Sequence, residues 1–175
     1  RLNRPWAFRN IFNDEVQGRT LAVYVHDVLG MQSVGIIYEN DDYGRGLMES
    51  FVSCAEDLGL QVVAQQAYDA TTGDFTPLVR TVVDANPQIL LMSGLYTQAA
   101  RLAQATREIG ATIPLIGGDG VFSEEYINLA GPAAEGTLVT TPFLFELAGD
   151  RATNFMNQFQ VRWPDVQPDA WAALA

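Results

Sequence analysis

Four side chains that could bind a small molecule come directly after predicted strands. Tyr43 follows the first predicted strand, Leu95 and Tyr96 follow the third, and Asp119 follows the fourth within a glycine-rich turn. Because the carboxyl ends of parallel strands meet at one edge of a sheet, we expect these side chains to converge there. A carboxylate supplies charge, while phenol rings supply walls and hydrogen-bonding hydroxyls. The set predicts a site for a small cationic or zwitterionic ligand; the alternative is that these residues only cap the loops of an ordinary α/β domain.

Signatures of catalysis are missing from the sequence. Gly44-Arg45-Gly46 lacks the third glycine of a dinucleotide-binding fingerprint, and the chain contains no lysine that could complete a phosphate-binding loop. No Gly-x-Ser-x-Gly elbow occurs. The acidic pairs Asp41-Asp42 and Glu124-Glu125 lie where helix capping explains them, and His26 has no second histidine with which to hold zinc. The sequence therefore predicts a protein that is not an enzyme and that carries no metal or cofactor.

The composition narrows the class of partner. The chain has 175 residues, a net charge of −11 and 48% hydrophobic residues, which is enough apolar material for a core. An acidic chain repels nucleic acid and anionic membranes, so neither is an expected partner. No apolar run reaches the roughly 18 residues that a membrane span needs.

Alternation of strands and helices predicts how the four side chains are positioned. Predicted strands cover residues 33–39, 60–68, 88–92, 113–116 and 136–141. Predicted helices cover residues 14–29, 44–58, 75–85, 96–109 and 150–162, with a short helix after Ser123, a last one near Pro168 and an extended segment over residues 1–12. In the first helix, the residues predicted to face the core are Val16, Thr20, Val23, Tyr24 and Val28.

The strands are continuous apolar runs, which is typical of a parallel sheet buried on both faces. We therefore predict an α/β fold with three layers, in which a flavodoxin-like parallel sheet of about five strands has helices on both faces. No repeat and no linker rich in Gly, Pro and Ser interrupts the chain, so residues 1–175 are predicted to form a single α/β ligand-binding domain.

Six motifs in order along nearly the whole chain resemble the type I periplasmic binding proteins of the branched-chain amino-acid class. These are the solute receptors of ABC importers. The motifs are Phe8-Arg9 with Gln17-Gly18, Tyr43-Gly44-Arg45-Gly46, Gly73-Asp74-Phe75-Thr76, Ser93-Gly94-Leu95-Tyr96, Gly117-Gly118-Asp119-Gly120-Val121 and Ala133-Ala134-Glu135-Gly136.

The resemblance implies one lobe of a two-lobe receptor. Proteins of this family are about twice as long and close two α/β lobes around the ligand, and this chain resembles only the second lobe. The implied partners are the absent first lobe, a small-molecule ligand and a membrane ABC permease, in a periplasmic or other extracytoplasmic location that includes a cell-surface lipoprotein. A homodimer of the fragment is a further expectation, through the apolar surface near Trp6, Phe8 and Trp171.

The resemblance also assigns roles to individual residues. Tyr43 matches a tyrosine that contacts the ligand, and Asp119 matches an acidic position, usually Glu, that binds the α-ammonium group. The second family tyrosine falls on Leu95 rather than on the adjacent Tyr96. With the shorter Asp119, this departure leaves amino acids, amides, urea-like compounds and aromatic acids open as ligands. A ligand-sensing lobe of a regulator and a flavodoxin-like enzyme are the alternative functions.

Overall fold

A computed structural model of the chain describes residues 11–166 and residue 168. Asn13–Thr140 forms one compact unit, and the described residues before and after it belong to another. The predicted extended segment, apart from its last two residues, and the predicted helix after Pro168 lie outside the described residues. So do Trp6, Phe8 and Trp171.

The unit Asn13–Thr140 is built on a sheet of five parallel strands in the order β2-β1-β3-β4-β5. The strands are β1 Ser33–Glu39, β2 Gln61–Tyr68, β3 Ile89–Ser93, β4 Leu115–Gly117 and β5 Leu138–Val139. Each neighbouring pair is parallel, so all five carboxyl ends lie at the same edge. This order is the flavodoxin-like one, and the fold prediction is confirmed.

Helices cover both faces of the sheet. They are α1 Asp14–Val23, which continues as a π-helical turn Tyr24–Val28, α2 Asp42–Leu58, α3 Thr76–Val83, α4 Tyr96–Glu108 and α5 Glu124–Ala130. Side chains of α1 and α2 join one buried cluster with Val34, Ile36 and Leu91, whereas α3, α4 and α5 join the other with Ile37, Leu90 and Met92. No helix in the described part of the chain is long and apolar enough to cross a membrane.

Three element boundaries differ from the predictions for identifiable reasons. β4 begins at Leu115 because Pro114 has no N–H to donate to a neighbouring strand. α3 ends at Val83, and Asn86 then turns the chain with a φ of 57°. β5 has two residues only, since Gly136 with its φ of 73° and the bond from Thr137 N–H to Ala134 O still belong to the preceding turn.

The predicted core face of α1 is wrong. Val16, Thr20, Tyr24 and Val28 are exposed and Val23 is partly buried, whereas the buried residues of this helix are Gln17, Gly18, Leu21, Ala22 and Val25. A Cβ on Gly18 would lie 2.7 Å from both Leu47 O and Phe51 N of α2. The two helices therefore approach through this glycine, and the contact turns the neighbouring Gln17 inward.

The second unit contains the helix α6, Gly149–Arg162. A short 3₁₀ turn, Phe145–Leu147, precedes it. Aromatic rings pack in sequence along this unit, from Phe143 through Phe145, Phe155 and Phe159 to Trp163, with centroid separations of 4.7–6.2 Å.

Candidate ligand-binding site

The four predicted site residues all lie at the carboxyl edge of the sheet. Tyr43 is the second residue of α2, Leu95 is the N-cap of α4, Tyr96 is the first residue of α4, and Asp119 begins the 3₁₀ turn Asp119–Val121 after β4. Parallel strand order alone brings them to this edge, as the sequence predicted. What it brings into direct contact is the pair Tyr43 and Asp119.

The Tyr43 hydroxyl joins two groups of residues 118–121, the turn that carries Asp119 and is called the acidic loop below. It donates a hydrogen bond to Asp119 Oδ1 at 3.0 Å and accepts one from the Gly120 N–H at 3.1 Å. Burial, followed by the neighbouring Asp119 carboxylate, raises the pKa of Tyr43, so the hydroxyl stays protonated and able to donate. Its one proton is already committed to Asp119, and Tyr43 therefore holds the carboxylate in place.

Asp119 is largely enclosed, with 9% of its surface exposed. Its backbone N–H donates to Gln17 Oε1 at 3.2 Å, so α1 supports the acid through its backbone while Tyr43 supports it through its carboxylate. Gln17 belongs to one of the sequence motifs, but the sequence did not identify it as a site residue. A polar residue beside the helix-packing glycine was the signal that could have found it.

Glycines in the loop permit this close packing. A Cβ on Gly118 would collide with Gln17 Oε1, Leu47 Cδ2 and the Tyr43 hydroxyl, and a Cβ on Gly120 would lie 2.9 Å from the Tyr43 ring. Glycine is needed at both positions because neighbouring side chains, among them that of Tyr43, occupy the space that a Cβ would take.

Leu95 and Tyr96 lie beside the acidic loop without bonding to it. The end of β3 is close to that loop, since a Cβ on Gly120 would be 3.0 Å from Gly94 O. Leu95 is 46% exposed and Tyr96 is exposed as well. Leu95 therefore offers an apolar surface at the edge that carries Asp119.

A buried polar pair beneath Leu95 was not foreseen. Glu39, at the end of β1, is 7% exposed, and neither its Oε2 nor the hydroxyl of buried Tyr68 has a hydrogen-bond partner within the described residues. Burial and then the Asp41 carboxylate raise the pKa of Glu39, against a hydrogen bond from the Leu95 N–H that lowers it. The glutamate at the end of a mostly apolar strand was the sequence signal that could have identified this buried pair.

The electrostatics of the edge favour a cation. Asp119, Glu39 and Asp41 are all carboxylates at or near strand ends, and Asp14 is close enough to raise the pKa of Tyr43 further. Among the described residues, no group of histidine, cysteine and acidic side chains could hold a metal ion. Carboxylates at this edge suit a ligand group that carries a positive charge.

Sequence comparison identifies the family. A model of the periplasmic binding protein family matches residues 2–175. The chain belongs to that family. Its members are ligand-binding receptors and not enzymes, and the relatives below put this periplasmic binding protein in the type I, branched-chain amino-acid class.

Among its relatives, the Leu/Ile/Val-binding protein homolog 1 of Brucella suis is 28% identical over 134 residues, which are 77% of this chain and 36% of the relative. The leucine-specific-binding protein of Salmonella typhimurium is 30% identical over 129 residues, 74% of this chain and 35% of the relative. The crystal structure of a leucine binding protein from Thermotoga maritima has a TM-score of 0.91 and 28% identity, covering 99% of this chain and 49% of that one. This chain therefore spans one half or less of the length of these receptors.

Proposed function

We propose that this chain is the second lobe of an extracytoplasmic solute receptor that captures a small amino-acid-like ligand for an ABC importer. The observation that carries the proposal is the Asp119 carboxylate, held at the sheet edge by Tyr43 and Gln17. The names of the relatives support an amino acid as the ligand. The match to 49% of the Thermotoga maritima leucine binding protein supports the proposal that this chain is one lobe of two.

Asp119 is the residue that would bind the ligand's ammonium group. Tyr43 engages Oδ1, so we expect the ligand to contact Oδ2. A hydrogen bond between a carboxylate and an ammonium group in an enclosed site contributes roughly 1.5–3 kcal/mol. Both supports of Asp119 come from side chains of this chain, so they pre-position the carboxylate for the ligand.

Leu95 would provide an apolar wall for the ligand's side chain. Its side chain is exposed at the edge where the family usually has a second tyrosine, and that side chain can neither donate nor accept a hydrogen bond. The combination of a fixed carboxylate and an apolar neighbour favours an amino acid with an aliphatic side chain. The carboxylate of that ligand would bind to the other lobe of the receptor.

The test is a ligand screen on the full natural polypeptide that contains this chain. Titration calorimetry would compare L-leucine, L-isoleucine and L-valine with acetamide, urea and benzoate. The proposal predicts saturable binding of at least one of the three amino acids, tighter than that of the neutral or anionic compounds. Binding of benzoate, acetamide or urea in preference to every amino acid would contradict it.

A further inference from the structure

Gln17 is a buried polar residue that reaches the acidic loop from a different element. It lies in the second turn of α1, is 2% exposed, and its Oε1 accepts a hydrogen bond from the Asp119 N–H at 3.2 Å. Buried amide side chains are costly unless they are hydrogen-bonded, so this contact accounts for a glutamine in the apolar interface between α1 and the sheet.

The packing of α1 on α2 fixes the position from which Gln17 reaches. A Cβ on Gly18 would lie 2.7–2.8 Å from Leu47 O, Phe51 N and Ser50 Cβ, so the helix backbones are as close as they can be. Leu47 of the same α2 segment also borders Gly118 in the acidic loop. α1 and the loop are therefore positioned against the same turn of α2.

Two different side chains hold Asp119, one at its carboxylate and one at its backbone N–H. Tyr43 holds the carboxylate and Gln17 holds the peptide N–H. With the backbone anchored and one carboxylate oxygen engaged, the direction of the second oxygen is fixed. Without Gln17 the peptide N–H loses its partner, and the loop is free to tilt about the Tyr43 contact.

We propose that Gln17 is a positioning residue that sets the preference of the site for ligands with an ammonium group over the same ligands without one. The inference rests on the proposed function for the identity of the ligand, whereas the contact that carries it lies within this chain. Gln17 acts through Asp119 and does not touch the ligand.

The experiment compares Gln17→Met with Gln104→Met in the full natural polypeptide. Methionine keeps the length of the side chain and removes its hydrogen-bonding groups. Gln104 is the control for the same substitution, because it is exposed and its Nε2 donates to Leu129 O rather than to the acidic loop. The probes are L-leucine and 4-methylpentanoate, which is L-leucine without the ammonium group, measured by titration and by competition.

Gln17→Met should weaken L-leucine binding by about threefold to tenfold, the effect of one lost hydrogen bond, and leave 4-methylpentanoate within about twofold of wild type. Gln104→Met should change neither. Equal losses for both probes would show a general structural role, and no loss for L-leucine would show no role; each result overturns the inference.

Amide hydrogen exchange in the ligand-free protein separates this inference from the proposed function. Gln17→Met should accelerate exchange of the Asp119 amide while amides in β1 and β3 stay protected. Unchanged exchange at Asp119 would overturn the inference. Failure of the wild type to bind L-leucine or any other amino acid would instead contradict the proposed function, and the exchange result alone would then decide the role of Gln17.

Discussion

At the scale of single residues, the site depends on how Asp119 is supported. Tyr43 was expected to contact the ligand through its hydroxyl, but that hydroxyl donates to Asp119 and accepts from Gly120. Any contribution of the hydroxyl to affinity is therefore exerted through the carboxylate, while the ring remains available as a wall. This distinction changes what a Tyr43→Phe substitution measures.

Tyr43→Phe should weaken binding of an ammonium-bearing ligand by about threefold to tenfold, less than loss of Asp119 itself, since the carboxylate remains but loses one support. The free energy of unfolding should fall by roughly 1 kcal/mol because the Gly120 N–H loses its acceptor. Titration and urea unfolding measure the two effects. Tyr24→Phe, at an exposed position in the π-helical turn after α1, is the control. An unchanged affinity in Tyr43→Phe would argue against this role.

Glu39→Gln tests the buried carboxyl beneath Leu95. Burial raises the pKa of Glu39 in the folded chain above 4.5, its value in the unfolded chain. Ionisation of Glu39 therefore lowers the free energy of unfolding as pH rises from 4.5 through the folded pKa. Below pH 4.5 the carboxyl is protonated in both states and this cost is absent. Glu39→Gln should therefore be more stable than wild type at pH 7.5, and the difference should narrow as pH falls towards 4.5. Urea unfolding at several pH values, with exposed Glu56→Gln as control, measures this; a difference that widens on acidification would refute it.

At the scale of elements, apolar pattern predicted the strands well and one helix face badly. Continuous apolar runs identified β1 and β3 because buried parallel strands need such runs on both faces. In the first helix, the spacing of apolar residues selected Val16 and Val28 as core residues, and both are exposed. Close packing at Gly18 decided the orientation of the helix, and a pattern of hydrophobicity does not register the absence of a side chain.

Two glycine-to-alanine substitutions in neighbouring helices should act in opposite directions. In Gly18→Ala the new methyl would meet backbone atoms of α2, so the free energy of unfolding should fall by roughly 1–3 kcal/mol. In Gly46→Ala the new methyl would lie 3.5 Å from Asp14 Oδ2, and helix propensity should raise that free energy by roughly 0.5–1 kcal/mol. Thermal and urea unfolding compare them, and the same sign for both would contradict the described packing.

At the scale of the whole molecule, topology predicted where the site lies but not how it is built. The order of strands brings Tyr43 and Asp119 to one edge whatever the loops do. The bond from Gln17 to Asp119 joins residues 102 positions apart, and Glu39 Oε2, which lacks a hydrogen-bond partner within the described residues, is buried where the end of β1 pairs with Tyr68 of β2. Contacts of this kind arise from tertiary packing and leave no local pattern in the sequence.

The length of the chain relative to its relatives leads to an expectation about affinity. The chain covers 49% of the Thermotoga maritima leucine binding protein, and we propose that the first lobe of the receptor completes the site. The isolated 175-residue chain should then bind its ligand at least tenfold more weakly than the full natural polypeptide, because half of the polar contacts and the exclusion of water are missing. Calorimetry on both with the same amino acid tests this, and equal affinities would contradict the two-lobe account.

The most direct test of the whole account is the affinity of Asp119→Asn in the full natural polypeptide, titrated with the amino acid that the wild type binds best. Asparagine keeps the shape of the side chain and removes the charge that would pair with the ammonium group. Asp57→Asn, an exposed acid on α2, is the control for the same change in net charge. The account predicts that Asp119→Asn weakens binding by at least about tenfold and Asp57→Asn by less than about twofold. Wild-type affinity in a folded Asp119→Asn variant would contradict it.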